Sequence, residues 1–321
     1  MRKIFLLCLL SFILLISCQK QAFDASKLQE PYLMVSHLKS SALTFIDLDK
    51  NEIMFSKDIR YQLTDLVSIK NGKVVATSRS EKHIFLIDLN IGTIEPIVKV
   101  NSGLTGIHYD YLSNLLFVAD STDNQIHIID LHQNAIVNSV ATGKFPTSFE
   151  SLDQDIYVLN GESNDITVIG GDTYEEIQTF SVIERPAGMI IDNDILWVGG
   201  HGPYGKLNRE IIGYDPHTGQ QLKKIEVGLM PVAFWTVPSS RYLYVLCHGD
   251  HALYKVDKKT NEVTDVVAVG ENPNFIWGNQ GQIFVSSLDG NKVSIIDKER
   301  FQLITEVDVP AGPYSIIEEV F

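Results

Sequence analysis

A motif that recurs roughly every 42 residues constrains the fold of this chain more than any other feature. Each copy is a short apolar run that ends in an aliphatic or aromatic residue followed by aspartate. Successive copies lie 40 to 45 residues apart. They are Ile46-Asp47, Ile87-Asp88, Ile129-Asp130, Tyr214-Asp215, Val256-Asp257 and Ile296-Asp297, with Ile169-Gly170 in the remaining position. Seven units at a nearly constant period indicate a repeat architecture.

Two further elements recur in register with this motif. A second apolar run starts thirteen residues before the Asp position in most units, as in Phe117-Val118-Ala119 and Tyr244-Val245-Leu246. A Gly-x-x-Pro turn follows many units, as at Gly143 to Pro146 and Gly270 to Pro273. Each unit therefore contains four short β-strands rich in β-branched residues. Four strands in about 42 residues predict one blade of a β-propeller.

The two ends of the repeat region predict how the ring closes. The first unit begins near residue 32 with its second strand, so it lacks an innermost strand. The chain ends with a Gly312-Pro313 turn and one further strand, from Tyr314 to Phe321. We therefore expect an all-β, seven-bladed propeller in which the C-terminal strand completes the first blade and removes an open sheet edge.

These repeats resemble those of the YVTN family of β-propeller proteins. The closest matches to the motif are Tyr157-Val158-Leu159-Asn160 and Tyr244-Val245-Leu246-Cys247, and the resemblance extends over residues 31–321. It implies the propeller fold but no single function. Family members include periplasmic and surface proteins with varied ligands, and propellers of similar shape include lactonases, lyases and a haem d1 domain.

The N-terminus predicts export and a lipid anchor. Arg2-Lys3 precedes an apolar run of 13 residues, Ile4 to Ile16, interrupted only by Ser11. This run is too short to span a bilayer and fits a signal peptide. The following Leu15-Ile16-Ser17-Cys18 resembles a bacterial lipobox. We thus expect a lipoprotein signal peptide over 1–17, a lipidated Cys18 with a flexible tether over 18–30, and the propeller over 31–321. An uncleaved membrane anchor is the alternative, and both place the propeller outside the cytoplasm, on either an outer membrane or a plasma membrane.

Charge and cysteine content narrow the classes of partner. The chain has a formal net charge of −14, and without Arg2 and Lys3 it has 24 basic and 40 acidic residues. Such an acidic protein is predicted to bind no nucleic acid, which requires clustered Lys and Arg. Cys247 is the only cysteine of the propeller region, so neither an intramolecular disulfide nor a thiolate metal cage is expected. No resident cofactor is predicted, and the protein is expected to be a monomer.

Candidate ligand-binding residues lie in the loops that propellers gather on one face. The loop of the fifth unit, Gly199 to Arg209, is longer than its equivalents and contains His201, Tyr204 and Arg209. Other polar and aromatic residues lie at corresponding loop or innermost-strand positions; these are His37, His248, His251, Arg185, Asn274 and Trp277. Each of them has a structural alternative, as a solvated loop residue or as part of the packing between blades.

Three functions remain open from the sequence. The first is a lipid-anchored envelope protein that binds a small molecule, a cofactor or a partner protein without catalysis. The second is an envelope enzyme of the lactonase or lyase type that uses histidines or a metal at the channel mouth. The third is a scaffold for protein complexes. The sequence contains no Gly-x-Ser-x-Gly, phosphate-binding loop or His-Glu-x-x-His motif, which favours the first function.

Overall fold

Each predicted unit folds as a separate antiparallel sheet. A computed structural model describes residues 22–28 and 31–319. In these residues, seven four-stranded sheets form the seven blades of a β-propeller. The fold predicted from the repeats is therefore confirmed.

The strands follow one another along the chain from the innermost to the outermost position of each blade, except in blade 1. Blade 1 contains β1 (Tyr32–His37), β2 (Ala42–Asp47) and β3 (Glu52–Asp58); blade 2 contains β4 (Leu66–Ile69), β5 (Lys73–Ala76), β6 (His83–Asp88) and β7 (Thr93–Lys99); blade 3 contains β8 (Leu104–Asp110), β9 (Leu115–Asp120), β10 (Gln125–Asp130) and β11 (Ala135–Ala141); blade 4 contains β12 (Pro146–Leu152), β13 (Asp155–Asn160), β14 (Asp165–Ile169) and β15 (Glu176–Ser181). Blade 5 contains β16 (Pro186–Asp192), β17 (Ile195–Gly200), β18 (Glu210–Tyr214) and β19 (Gln221–Glu226); blade 6 contains β20 (Pro231–Trp235), β21 (Tyr242–Cys247), β22 (Ala252–Asp257) and β23 (Glu262–Ala268); blade 7 contains β24 (Pro273–Gly278), β25 (Gln282–Ser287), β26 (Lys292–Asp297) and β27 (Gln302–Asp308).

The last strand closes the ring. β28 (Pro313–Glu319) pairs antiparallel with β1 and supplies the innermost strand of blade 1. Val35 and Ile316 are opposite each other in this ladder, and both side chains are fully buried. The first blade is thus built from both ends of the propeller, and β1 is paired on both sides instead of forming the inner edge of a three-stranded sheet.

Burial decreases from the middle of each blade to its rim. All six residues of β1 are buried, and β9 and β13 each have five buried residues, whereas β3 and β19 are mostly exposed. Apolar clusters lie between neighbouring blades, because each sheet packs its two faces against the next blade on either side. Nearly continuous apolar runs in the second and third strands follow from this burial on both faces.

The repeated aspartates stabilise the turn after the third strand of a blade. The Oδ1 of Asp47 accepts hydrogen bonds from the backbone N–H groups of Asp49 and Lys50, each at 3.0 Å. Asp215 makes the same bonds to the N–H groups of His217 and Thr218. Their recurrence therefore reflects the geometry of this turn.

Residues 22–28 lie against the propeller. They contain a short 3-10 helix, Ala25–Lys27, capped by the Asp24 carboxylate. The ring of Phe23 is only 4% exposed and packs 5.1 Å from that of Phe45, between centroids. Residues 22–28, which belong to the segment predicted as a tether, thus pack against the propeller through Phe23. The predicted lipobox and Cys18 lie outside the described residues. In residues 22–28 and 31–319, no helix is long and apolar enough to cross a membrane.

Candidate functional site

The up-and-down order of the four strands places the loops of each blade alternately on two opposite faces of the propeller. The loops between second and third strands share one face with the turns between blades, and the remaining loops lie on the opposite face. We call the first of these the funnel face.

A cavity of about 650 Å³ opens on this face, and we call it the funnel. Its walls come from blades 2 to 5 and from the C-terminal strand. The side chains that define its chemistry are Arg79, Phe145, Arg185, His201, Tyr204 and Tyr314. The volume lies within the range of pockets that bind small molecules. The funnel therefore offers two guanidinium groups and three aromatic rings to a ligand of that size.

Each guanidinium group of the funnel lies over a tyrosine ring. The Arg185 guanidinium carbon is 4.5 Å from the ring centroid of Tyr204, and that of Arg79 is 5.9 Å from the Tyr314 ring. The ring face attracts a cation and restricts its rotamers, so it reduces the entropy lost when the guanidinium binds an anion.

The backbone around Arg185 explains why its side chain reaches the funnel. Arg185 directly precedes the first proline of blade 5 and has a φ of 52°. Its N–H donates to the Asn164 Oδ1 at 2.7 Å, and its carbonyl accepts from the His201 N–H at 3.0 Å. Phe145 occupies the same position before blade 4, where its N–H donates to the Asn124 Oδ1. The turns between blades thus hold these two side chains at the channel mouth.

The long loop of blade 5 brings Tyr204 over the funnel. Asn208 closes this loop, since its N–H donates to the His201 carbonyl at 2.9 Å and its side-chain amide donates to the Gly200 carbonyl at 3.1 Å. The Tyr204 side chain is 90% exposed at the tip. A Cβ at Gly200 would lie 2.3 Å from the Arg185 carbonyl oxygen, so glycine is needed for this close approach.

Two predicted histidines meet at the edge of the funnel. The rings of His201 and His248 are 5.3 Å apart, edge to face. Burial lowers the pKa of both, with a further contribution to His201 from His248 and the nearby Arg185. The buried Nδ1 of His248 has no hydrogen-bond partner among the described residues. Both imidazoles are therefore favoured as neutral groups that can donate and accept hydrogen bonds.

Two other predicted residues on the funnel face lie outside the funnel. The Nδ1 of His251 accepts a hydrogen bond from the Asn272 N–H at 3.0 Å. His251 therefore holds the turn before blade 7 at Asn272, as Asn164 holds the turn before blade 5 at Arg185. Arg209 lies on the other side of the long loop, beside a separate groove, and its Nη1 is 3.8 Å from the Asp250 carboxylate. The sequence grouped Arg209 with Tyr204, but the closed loop directs them to different cavities.

The remaining predicted residues are also apart from the funnel. His37 is fully buried, its Nε2 is 2.9 Å from the Thr44 Oγ1, and burial lowers its pKa to about 4. Asn274 donates to the carbonyl oxygen of Asn272 at 2.7 Å. Trp277 lies four residues beyond Pro273 along β24, or about 13 Å towards the opposite face. Ligand contacts by these three residues stay predictions.

Two carboxyl groups beside or on innermost strands were not singled out by the sequence analysis. Asp65 accepts hydrogen bonds from the Ser315 hydroxyl at 2.7 Å and from the Ile107 N–H at 3.2 Å, and it thereby connects three innermost strands. Burial raises its pKa to about 6. Burial also raises the pKa of Glu150 in β12 to about 8. Both residues are half-buried. Neither belongs to a repeated motif, so no pattern marked them.

The described residues contain no group of three or more His, Cys, Asp and Glu side chains placed to hold a metal ion. Cys247 is fully buried, and this burial raises the pKa of its thiol. A protonated, inaccessible thiol is a poor nucleophile.

The chain matches no protein-family model and no curated protein. It is similar in fold to a functionally unknown protein from Desulfotomaculum acetoxidans, with a TM-score of 0.73 and 11% identity over 89% of this chain and 98% of that one. It is also similar to apo AztD from Citrobacter koseri, with a TM-score of 0.61 and 13% identity over 90% and 97%. A third similar structure is the dihydro-heme d1 dehydrogenase NirN in complex with DHE, with a TM-score of 0.64 and 12% identity over 92% and 76%. At these identities the similarity shows the fold alone.

Proposed function

We propose that this protein is a lipid-anchored, non-catalytic binding protein of the cell envelope, of the YVTN type. Its ligand is a small molecule with an anionic group, and it binds in the funnel. The observation that supports this most directly is the pair of guanidinium groups, Arg79 and Arg185, on the walls of one cavity of about 650 Å³.

The chemistry of the funnel favours an anion attached to a ring or another apolar body. A guanidinium group donates in a planar fork that matches carboxylate and phosphate oxygens. Phe145, Tyr204 and Tyr314 offer faces and edges for stacking beside these forks. The exposed Glu162 and Glu184 also line the funnel and suit a ligand that has hydrogen-bond donors as well. The structure of NirN, which is similar in fold, is a complex with DHE, and this agrees with ligand binding by a protein of this fold.

An anionic aromatic dye, 8-anilinonaphthalene-1-sulfonate, tests the proposal before the natural ligand is known. Arg185→Ala should weaken dye binding about tenfold or more, because a hydrogen bond to a charged group contributes about 1.5–3 kcal/mol. Arg209→Ala is the matched control, since Arg209 belongs to the same face but lies outside the funnel. Equal affinities for the wild type and for Arg185→Ala would contradict an anion site at Arg185.

Native mass spectrometry with metal analysis addresses the identity of the ligand. Protein purified gently from its own host should have a reproducible extra mass that is lost in the Arg185→Ala variant. A stoichiometric metal without an organic mass would contradict the anionic ligand.

A second candidate function is hydrolysis or lyase chemistry at the funnel edge. The observation that favours it is the pair of neutral imidazoles, His201 and His248, because a neutral imidazole can act as a general base. A screen of lactone and ester substrates with the wild type and with His201→Ala tests this function. Turnover that His201→Ala abolishes would support the enzyme and oppose the non-catalytic proposal.

A further inference from the structure

The segment before the first strand is attached to the face opposite the funnel. The backbone N–H groups of Ala22 and Phe23 both donate to the Gly92 carbonyl, at 2.8 and 3.1 Å. Gly92 lies in the hairpin between β6 and β7, and hairpins between third and fourth strands belong to the opposite face. The chain therefore enters the propeller at that face.

Phe23 fills a crevice that other blades fill with a residue of their own. Tyr174 and Phe301 occupy the position of Gly92 in blades 4 and 7, four residues after the end of the third-strand motif, and all three have a positive φ. The Tyr174 ring lies 6.2 Å from that of Phe117 and the Phe301 ring 5.8 Å from that of Tyr244, each on the preceding blade. Blade 2 has no side chain at this position, and the ring of Phe23 packs there against blade 1.

The hairpin of blade 2 is shaped for this attachment. A Cβ at position 92 would lie 2.1 Å from the Phe23 carbonyl oxygen, so any larger residue would displace the segment. The Phe23 ring also lies 6.2 Å from that of Phe55, which adds a second aromatic contact on blade 1. Two backbone hydrogen bonds and a buried ring thus fix the place where the anchor-bearing end of the chain leaves the propeller.

This attachment leaves only a short connection to the predicted lipidation site. Cys18 is four residues before Ala22, and four residues span at most about 14 Å. A lipid on Cys18 would therefore hold the attached face close to the bilayer. We infer that the face opposite the funnel is the surface that contacts the lipid bilayer, and that the funnel points away from the membrane. This inference rests on the lipid anchor of the proposed function.

The chemistry of the attached face is compatible with lipid contact. Leu112 and Tyr111, in the hairpin between β8 and β9, are 90% and 53% exposed. The ammonium group of the neighbouring Lys70 donates to the Tyr111 carbonyl. Exposed leucine, tyrosine and lysine side chains suit the interface between water and lipid, where apolar parts enter and polar tips remain hydrated.

Cysteine accessibility on vesicles tests the orientation. Leu112→Cys and Tyr204→Cys form a matched pair, since both side chains are 90% exposed and they lie on opposite faces. Cys247 is fully buried and should not interfere. The rate of labelling by a 5 kDa polyethylene glycol maleimide is measured for the lipidated protein on phosphatidylcholine vesicles and for the same variant without residues 1–18. Anchoring should slow labelling of Leu112→Cys at least tenfold and change that of Tyr204→Cys less than twofold.

Two further variants separate the attachment from general stability. Phe23→Ala should release the segment and restore fast labelling of Leu112→Cys on vesicles. Phe301→Ala removes a comparable buried ring from blade 7 and should leave the slow labelling unchanged. Equal labelling at positions 112 and 204 on vesicles would overturn the inference. Slow labelling of position 112 that survives Phe23→Ala would contradict the claim that the Phe23 attachment holds this face on the bilayer. Failure of the wild type to float with vesicles would instead refute the lipid anchor, and the orientation with it.

Discussion

The closing strand β28 offers a quantitative test of how this propeller is held together. Ile316 is the residue of β28 that packs between blade 1 and blade 7, in one cluster with Val35 and Phe284. Its side chain is fully buried. Ile316→Ala removes apolar contacts on both sides of the closure but leaves the backbone ladder with β1 intact.

The expected cost follows from burial. Truncation of a buried isoleucine to alanine lowers the free energy of unfolding by about 2–5 kcal/mol, which includes the cavity that remains. A folded domain is stabilised by only about 5–15 kcal/mol in total. With a urea m-value of roughly 3 kcal/mol/M, a loss of about 3 kcal/mol in the free energy of unfolding lowers the urea midpoint by about 1 M.

The assay is a urea titration followed by tryptophan fluorescence and by far-UV circular dichroism. Ile304→Ala is the control, because Ile304 belongs to the outermost strand of blade 7 and is 46% exposed. Its effect should stay within about 0.5 kcal/mol. Equal midpoint shifts for the two variants would refute the argument that closure depends on buried contacts of β28. Deletion of residues 314–321 should destabilise the whole domain, and an unchanged melting midpoint would contradict the closing role itself.

Three further predictions concern single side chains. The raised pKa of Asp65 means that the folded state binds the Asp65 proton more tightly than the unfolded state, so the contribution of this group to stability is present below pH 4 and is lost as the pH rises to about 6. Asp65→Asn should therefore flatten the curve of unfolding free energy against pH in this window. Parallel curves for the wild type and the variant would exclude a contribution from Asp65. Gly92→Ala should lower the melting temperature and expose Phe23 to proteolysis more than Gly205→Ala does. Both positions have a positive φ, but only position 92 contacts the N-terminal segment. Equal effects of the two variants would mean that backbone strain alone causes them. Cys247 should react with maleimide only after unfolding, and labelling of the native protein would show that its strand opens.

The periodicity of the sequence was sufficient to predict the architecture. The repeated apolar runs and the aspartates act within one blade, and the Gly-x-x-Pro turns join one blade to the next, so all of them act between residues that are near in the chain. The register of the Asp47 turn and the closure by the strand from Pro313 were therefore predictable. The longer loop of blade 5 was visible as an irregular spacing, and it led to His201 and Tyr204 at the funnel.

Other features of the site depended on contacts between blades, which no local pattern encodes. Arg79 meets Tyr314 only because the ring closes and brings positions far apart in the chain together. Arg209 and Tyr204 are close in sequence, yet the hydrogen bonds of Asn208 place them in different cavities. The sequence determined the repeated unit, because local hydrogen bonds and alternation define it. Only the tertiary structure decided which loop residues share the funnel and where Phe23 attaches, because both depend on the packing of blades around a closed ring.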